Sequence, residues 1–151
     1  MQNSDFCKDE FGFGLTYTTF AYSDLDISFV QGASTCYLPP DPTNIIQGGI
    51  SSLWETVATV TATVTNTGKV GAAEVAQLYI GIPNGPVRQL RGFDKVFIEP
   101  GQSVTVNFPL MRRDLSEWDV VAQSWVLQSG SYGVWVGASS RILPLSGSLN
   151  I

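Results

Sequence analysis

The stretch Val60–Pro83, VTATVTNTGKVGAAEVAQLYIGIP, holds the pattern on which the fold turns. Val60, Ala62 and Val64 alternate with threonines at 59, 61, 63 and 65. A period of two puts one kind of residue on each side of an extended chain, and valine and threonine favour that conformation. Asn66-Thr67-Gly68-Lys69 then supplies turn chemistry, and Glu74 stands near the start of a further strand. Moving outward, Leu25, Ile27 and Phe29 alternate with Asp26 and Ser28. Val104, Val106, Phe108 and Leu110 form another set, and Leu143, Leu145, Leu149 and Ile151 the last. Asn84-Gly85-Pro86, Pro100-Gly101 and Ser129-Gly130 read as turns between them. No segment sustains a helical period. Short strands with one buried and one wet face predict an antiparallel β-sandwich, because two half-wet sheets must bury their apolar faces against each other. Gly92 and Gly101 are expected where turns demand positive φ, and Asp94 is expected to fix a turn.

At 151 residues the chain fits one domain with a real core. Eight basic against thirteen acidic residues give a net charge of −5, and no basic run is present. Such a chain is repelled by phosphate backbones, which argues against nucleic acid and anionic membrane as partners. No apolar run approaches the ~20 residues that span a bilayer. The segment after Met1, QNSDFCKDE, is polar and shows no signal-peptide pattern.

The stretch from Gln31 to Glu55 breaks the alternation, with prolines at 39, 40 and 42 and glycines at 32, 48 and 49. An irregular connection of this length is functional, packed on a partner, or disordered. It also holds Cys36, which with Cys7 makes an even cysteine count. A bridge between them would stabilise the fold by roughly 3–4 kcal/mol on a chain-entropy argument, while two thiols remain the open alternative.

Histidine is absent, which rules out nucleophiles activated by an imidazole and, with two cysteines, any credible zinc site. Acid–base chemistry would need paired carboxylates from Glu55, Glu74, Asp94, Asp114, Glu117 and Asp119. Glu117 and Asp119 share a face if their segment is extended, yet none of the six has a recognisable catalytic partner. Asp24, Asp26 and Asp41 lack the spacing of a calcium loop. Neither catalytic, cofactor-binding nor metal-binding residues are therefore assigned. Among the aromatics, Trp125 and Trp135 read as core or inter-sheet packing, whereas Trp54 and Trp118 are the candidates for exposure and for stacking on sugar rings. Arg88 and Arg91 flank a strand segment and are candidates for an interface, each able to fork onto a carboxylate.

Five stretches resemble, in order, the C-terminal fibronectin type III-like domain of glycoside hydrolase family 3 β-glucosidases of the secreted fungal type. They are FGFGLTYTTFAYSDL (Phe11–Leu25), VTATVTNTGKVGAAEVAQLYIGIP (Val60–Pro83), RQLRGFDKVFIEPG (Arg88–Gly101), RRDLSEWD (Arg112–Asp119) and GSYGVWVGASSR (Gly130–Arg141). The resemblance implies a fibronectin type III-like, immunoglobulin-like antiparallel β-sandwich over residues 11–151, with one long irregular loop at about 31–55. Residues 1–10 are then an N-terminal extension or linker remnant. In the family the catalytic carboxylates lie in two preceding domains, so the resemblance implies a non-catalytic accessory domain of an enzyme that hydrolyses terminal β-D-glucosyl residues. The expected partners are those catalytic domains, in cis or in trans, with the long loop lying against the neighbouring α/β domain. Localisation is expected to be extracellular, as part of the parent enzyme. Two alternatives stand beside this: an autonomous module binding polysaccharide or lignin, and a stand-alone truncated paralogue acting through a protein partner.

Overall fold

A computed structural model describes residues 10–151. Cys7, the expected Cys7–Cys36 bridge and the expected extension up to Asp9 therefore lie outside the described residues. The strands run in chain order as β1 (Phe20–Phe29), β2 (Ile45–Ile46), β3 (Gly49–Ile50), β4 (Thr56–Asn66), β5 (Ala72–Gly81) and β6 (Gln89–Ile98). They continue as β7 (Ser103–Met111), β8 (Ser116–Asp119), β9 (Ser124–Leu127), β10 (Ser131–Gly137) and β11 (Leu145–Asn150). Short 3-10 turns occupy Ser51–Trp54 and Arg112–Leu115.

Two antiparallel sheets, ordered β1-β4-β7 and β11-β10-β5-β6, face each other. The alternation in β4 does what its period predicts: Val60, Ala62 and Val64 are buried with Val106, Phe108 and Leu110 of β7. Opposite them pack Ala76, Leu78 and Ile80 of β5, Val134 and Val136 of β10, and Leu149 of β11. Each fully buried valine, leucine or isoleucine contributes about 1.5–3 kcal/mol relative to exposure. Asn66 ends β4 as a buried hub: its Nδ2 donates to the carbonyls of Val70 and Ile98, and its Oδ1 accepts from the Thr18 hydroxyl and the Gly68 amide.

Several local expectations need correction. The inward set of β1 is Phe20 and Tyr22, then Leu25 and Ile27, because a bulge between Ser23 and Asp26 resets the parity, with Asp24 at φ 52°. Phe29 follows the inward parity of Leu25 and Ile27 but is exposed, and Leu143 precedes β11 rather than lying in it. Gly101 has φ 75° as expected, but Gly92 has no positive φ. It lies within β6 opposite Leu78, where a Cβ would stand 3.1 Å from the Phe108 ring, so close packing is what needs the glycine. Asp94 fixes no turn; it pairs with Ala76 inside the same strand.

The long connection is more ordered than its composition suggests. Its base is tied by the Val30 amide to the Val57 carbonyl, β2 and β3 form a small ladder, and the Ser52 hydroxyl donates to the Pro40 carbonyl. Arg112, only 1% exposed, donates to the carbonyls of Ser34, Cys36 and Tyr37 and clamps the loop onto the end of the sandwich. Among the described residues no helix is long and apolar enough to cross a membrane.

Candidate interaction surfaces

The expectation that every strand has a wet side fails on β5 and β6. Register pairs Ala73 with Phe97, Val75 with Lys95 and Gln77 with Phe93, and all six point away from the core. Phe93 is 69% exposed, and Phe97 and Val75 are exposed too. The segment Phe11–Thr16 runs across this face and roofs a cavity of about 500 Å³, walled by Phe13, Val75, Leu90 and Phe93 with Lys95 and Glu74 among its lining. Leu15 on the same segment is 95% exposed.

One buried glutamine fixes that segment. Gln77 is 4% exposed although it lies on an outer face. Its Nε2 donates to the carbonyls of Gly12 and Ala138, and its Oε1 accepts from the Tyr79 hydroxyl. The Ser139 hydroxyl donates to Glu10 and the Ser140 amide to the Phe11 carbonyl, so two neighbouring elements hold the same segment. The Ser139 bond also holds the Glu10 carboxyl below its ordinary pKa. Gly12 sits at φ 80°, and a side chain there would collide with Gln77.

A second surface occupies the end of the sandwich where the loop meets the β8–β9 hairpin. The Arg113 guanidinium lies 5.3 Å from the Trp54 ring and 5.5 Å from the Trp125 ring. Trp125 in turn meets Trp118 edge-on, with centroids 5.9 Å apart. Asp119 accepts from the amides of Val121 and Ala122 and from the Tyr37 hydroxyl, which joins hairpin to loop. The backbone donors, with the tyrosine, hold its carboxyl below the ordinary aspartate pKa.

The residues singled out from sequence divide between these surfaces and the space between them. Trp54 and Trp118 are exposed, at 37% and 48%, and belong to one cluster. Arg88 covers the face of Trp135 at 5.5 Å, and Arg91 donates through Nε to the Asp114 carbonyl and through its terminal nitrogen to Gln89. Trp125 and Trp135 are not in the core: both are half-exposed, and Trp135 lies on the outer face of the second sheet, over Gly133 and Gly81. Cys36 is exposed in the loop. The carboxylates have local duties: Asp114 accepts from the Met111 amide at 2.9 Å, and Glu74 accepts from the Tyr22 hydroxyl at 2.6 Å. Burial nevertheless pushes the Asp114 carboxyl up, against the Met111 amide and two arginines. Among the described residues no three acidic or cysteine side chains gather as a metal site. Sequence reading missed Gln77 and the long-range contacts of Arg112 and Arg113.

Residues 74–140 match the fibronectin type III-like domain family. The probable β-glucosidase M of Aspergillus flavus is 61% identical over 142 residues, which are 94% of this chain and 18% of that protein. The β-D-glucoside glucohydrolase of Trichoderma reesei superposes with a TM-score of 0.83 at 46% identity, over 93% of this chain and 20% of that one. A glycoside hydrolase family 3 β-glucosidase of Neurospora crassa gives 0.81 at 32% identity, over 93% and 25%. The chain thus spans about 18% of the length of the first of these relatives, and it matches their C-terminal part.

Proposed function

The chain carries a fibronectin type III-like domain of the kind found in glycoside hydrolase family 3 β-glucosidases, and on that premise we propose that it is a non-catalytic accessory domain docked on the catalytic portion of such an enzyme. The parent reaction is hydrolysis of terminal β-D-glucosyl residues, and the setting is extracellular. The observation that carries this reading is the apolar outer face of β5 and β6. A monomer rarely leaves two phenylalanines, here on either side of Lys95, open on one sheet face beside an exposed valine, and such a patch marks a contact surface. In the relatives the remaining length precedes the matching region, and here the N-terminal segment is fixed across this very face. The described segment enters beside the end of β10, where Ser139 holds Glu10, and crosses the same outer sheet that carries the patch.

The test replaces the matching region of the Aspergillus flavus relative with this chain, unaltered or carrying Phe93→Asp with Phe97→Asp. Docking predicts that the double variant loses activity on heating about tenfold faster, since burying a charge against an apolar partner costs more than 1.4 kcal/mol. Steady-state activity at ambient temperature should be unchanged. Equal inactivation rates would remove the reading. A second reading, a polysaccharide-binding module, draws on the exposure of Trp118 and Trp54. Saturable retention on insoluble cellulose, lost in Trp118→Ala, would support it.

A further inference from the structure

Three arginines gather at the loop end of the sandwich, and two of them donate hydrogen bonds within the domain, although the buried Nε of Arg112 has no partner. Arg112 serves three loop carbonyls, and Arg91 serves Asp114 and Gln89. Arg113 is different. It is exposed and held against two tryptophan rings, and among the described residues it donates no hydrogen bond. Asp114, its chain neighbour, gives its carboxylate to the Met111 amide instead.

From this we infer that Arg113 is a carboxylate clamp, which receives an Asp or Glu side chain of the enzyme's catalytic portion and forms a second anchor for the domain. The inference rests on the accessory-domain reading. Three physical points carry it. A guanidinium presents five N–H donors in a planar fork matched to a carboxylate, and cation–π contacts on two rings have already removed much of its freedom. Arg88 is likewise exposed against a tryptophan, but only Arg113 is held between two rings, and a cation so placed selects an anionic partner. The surroundings are those of a protein interface: tryptophan beside arginine, with exposed Ile45 and Val121 on the loop and hairpin. A neutral sugar fits less well, because stacking needs free ring faces and Arg113 already lies against Trp54 and Trp125.

The experiment uses the same exchanged enzyme with Arg113→Lys, which keeps the charge but loses the fork, and Arg113→Glu. Thermal inactivation is followed at low and high salt, and unfolding of each variant chain alone is recorded. The clamp predicts inactivation about tenfold faster for Arg113→Glu and severalfold faster for Arg113→Lys at low salt. Added salt should speed inactivation of the unaltered enzyme and narrow the gap to Arg113→Lys, while the variant chains alone unfold within a few degrees of the original. Faster inactivation with Phe93→Asp but not with either Arg113 variant would overturn the clamp and leave docking standing. No effect of any of the three would remove both. A shift in the chain alone as large as that in the enzyme would make Arg113 a structural residue and also overturn the proposal. Retention on insoluble β-glucan that Arg113→Lys abolishes would put a glycan on the clamp in place of a protein.

Discussion

The two outer faces of this sandwich are built on the same strand geometry and carry opposite chemistry. On the first sheet, Thr59, Thr61, Thr63 and Thr65 of β4 lie between Ser23, Asp26 and Ser28 of β1 and Ser103, Thr105 and Asn107 of β7. On the second, Ala73 lies beside Phe97, Val75 beside Lys95 and a buried Gln77 beside Phe93, while Trp135 shields two glycines. A face of threonines satisfies water with hydroxyls, and Thr65 and Ser103 bond each other at 2.7 Å. A face of phenylalanines cannot do this, so it is either covered by its own chain or left for another. Here both occur. The N-terminal segment covers the strip over Gln77 and Tyr79, and the strip over Phe93 and Phe97 stays open. The outer face, rather than the core, is what separates this domain from a free-standing sandwich.

The sharpest way to break the comparison is to truncate one polar side chain on each face. Gln77→Ala leaves the Gly12 and Ala138 carbonyls and the Tyr79 hydroxyl without their partner under the N-terminal segment, at a cost of about 3 kcal/mol. Thr61→Ala on the opposite face removes only a wet hydroxyl and some strand preference, about 0.5–1 kcal/mol. Urea denaturation of the two variants measures both. Equal costs would mean that the second outer face is wet after all.

Alkaline pH tests burial by another route. Burial and the Glu74 carboxylate hold the Tyr22 hydroxyl well above its ordinary pKa, burial pushes Tyr132 up to about 12, and burial also raises Tyr79. A tyrosine whose folded pKa is raised contributes stability that is fully present below the unfolded value of 10.0 and is lost as pH climbs through the folded value. Stability should therefore hold up to about pH 10 and fall by about 1 kcal/mol or more by pH 11. Tyr22→Phe and Tyr79→Phe should each flatten the fall. Tyr79 sharpens the comparison, since an outer-face tyrosine in water would contribute nothing to that slope.

What was legible in the sequence follows from which contacts are local. The strict alternation of β4 and β7 gave away the core because their two sides differ in kind. The bulge in β1 stayed hidden, since a single residue at φ 52° leaves no mark beyond an ordinary Asp24. The open face was readable in principle: FDKVFI, Phe93–Ile98, is apolar at both parities, the signature of a strand covered on both sides. The outward turn of Trp135 had a local clue in Gly133, two residues earlier on the same side of the strand. Arg112 had none. Its acceptors lie 75 to 78 residues away in a loop without periodicity, and charge alone argues for exposure. The Arg113 cluster was invisible for the same reason, because Trp54 reaches it from the loop.

The smallest expected effect is also the most pointed. Exchanging Phe93 and Phe97 for threonine gives the second outer face the chemistry of the first. Both side chains are largely exposed, and threonine suits a strand as well as phenylalanine does, so the stability of the chain alone should change by no more than about 0.5 kcal/mol. What should change is the surface: binding of an apolar dye such as ANS should fall, and so should any self-association at high concentration. A loss of several kcal/mol would show instead that the two rings hold the N-terminal segment in place. They would then belong to the domain's own packing, and the patch would be no docking face. A neutral change in stability together with weaker dye binding keeps the two roles apart, with Gln77 fixing the segment and the phenylalanines left for the partner.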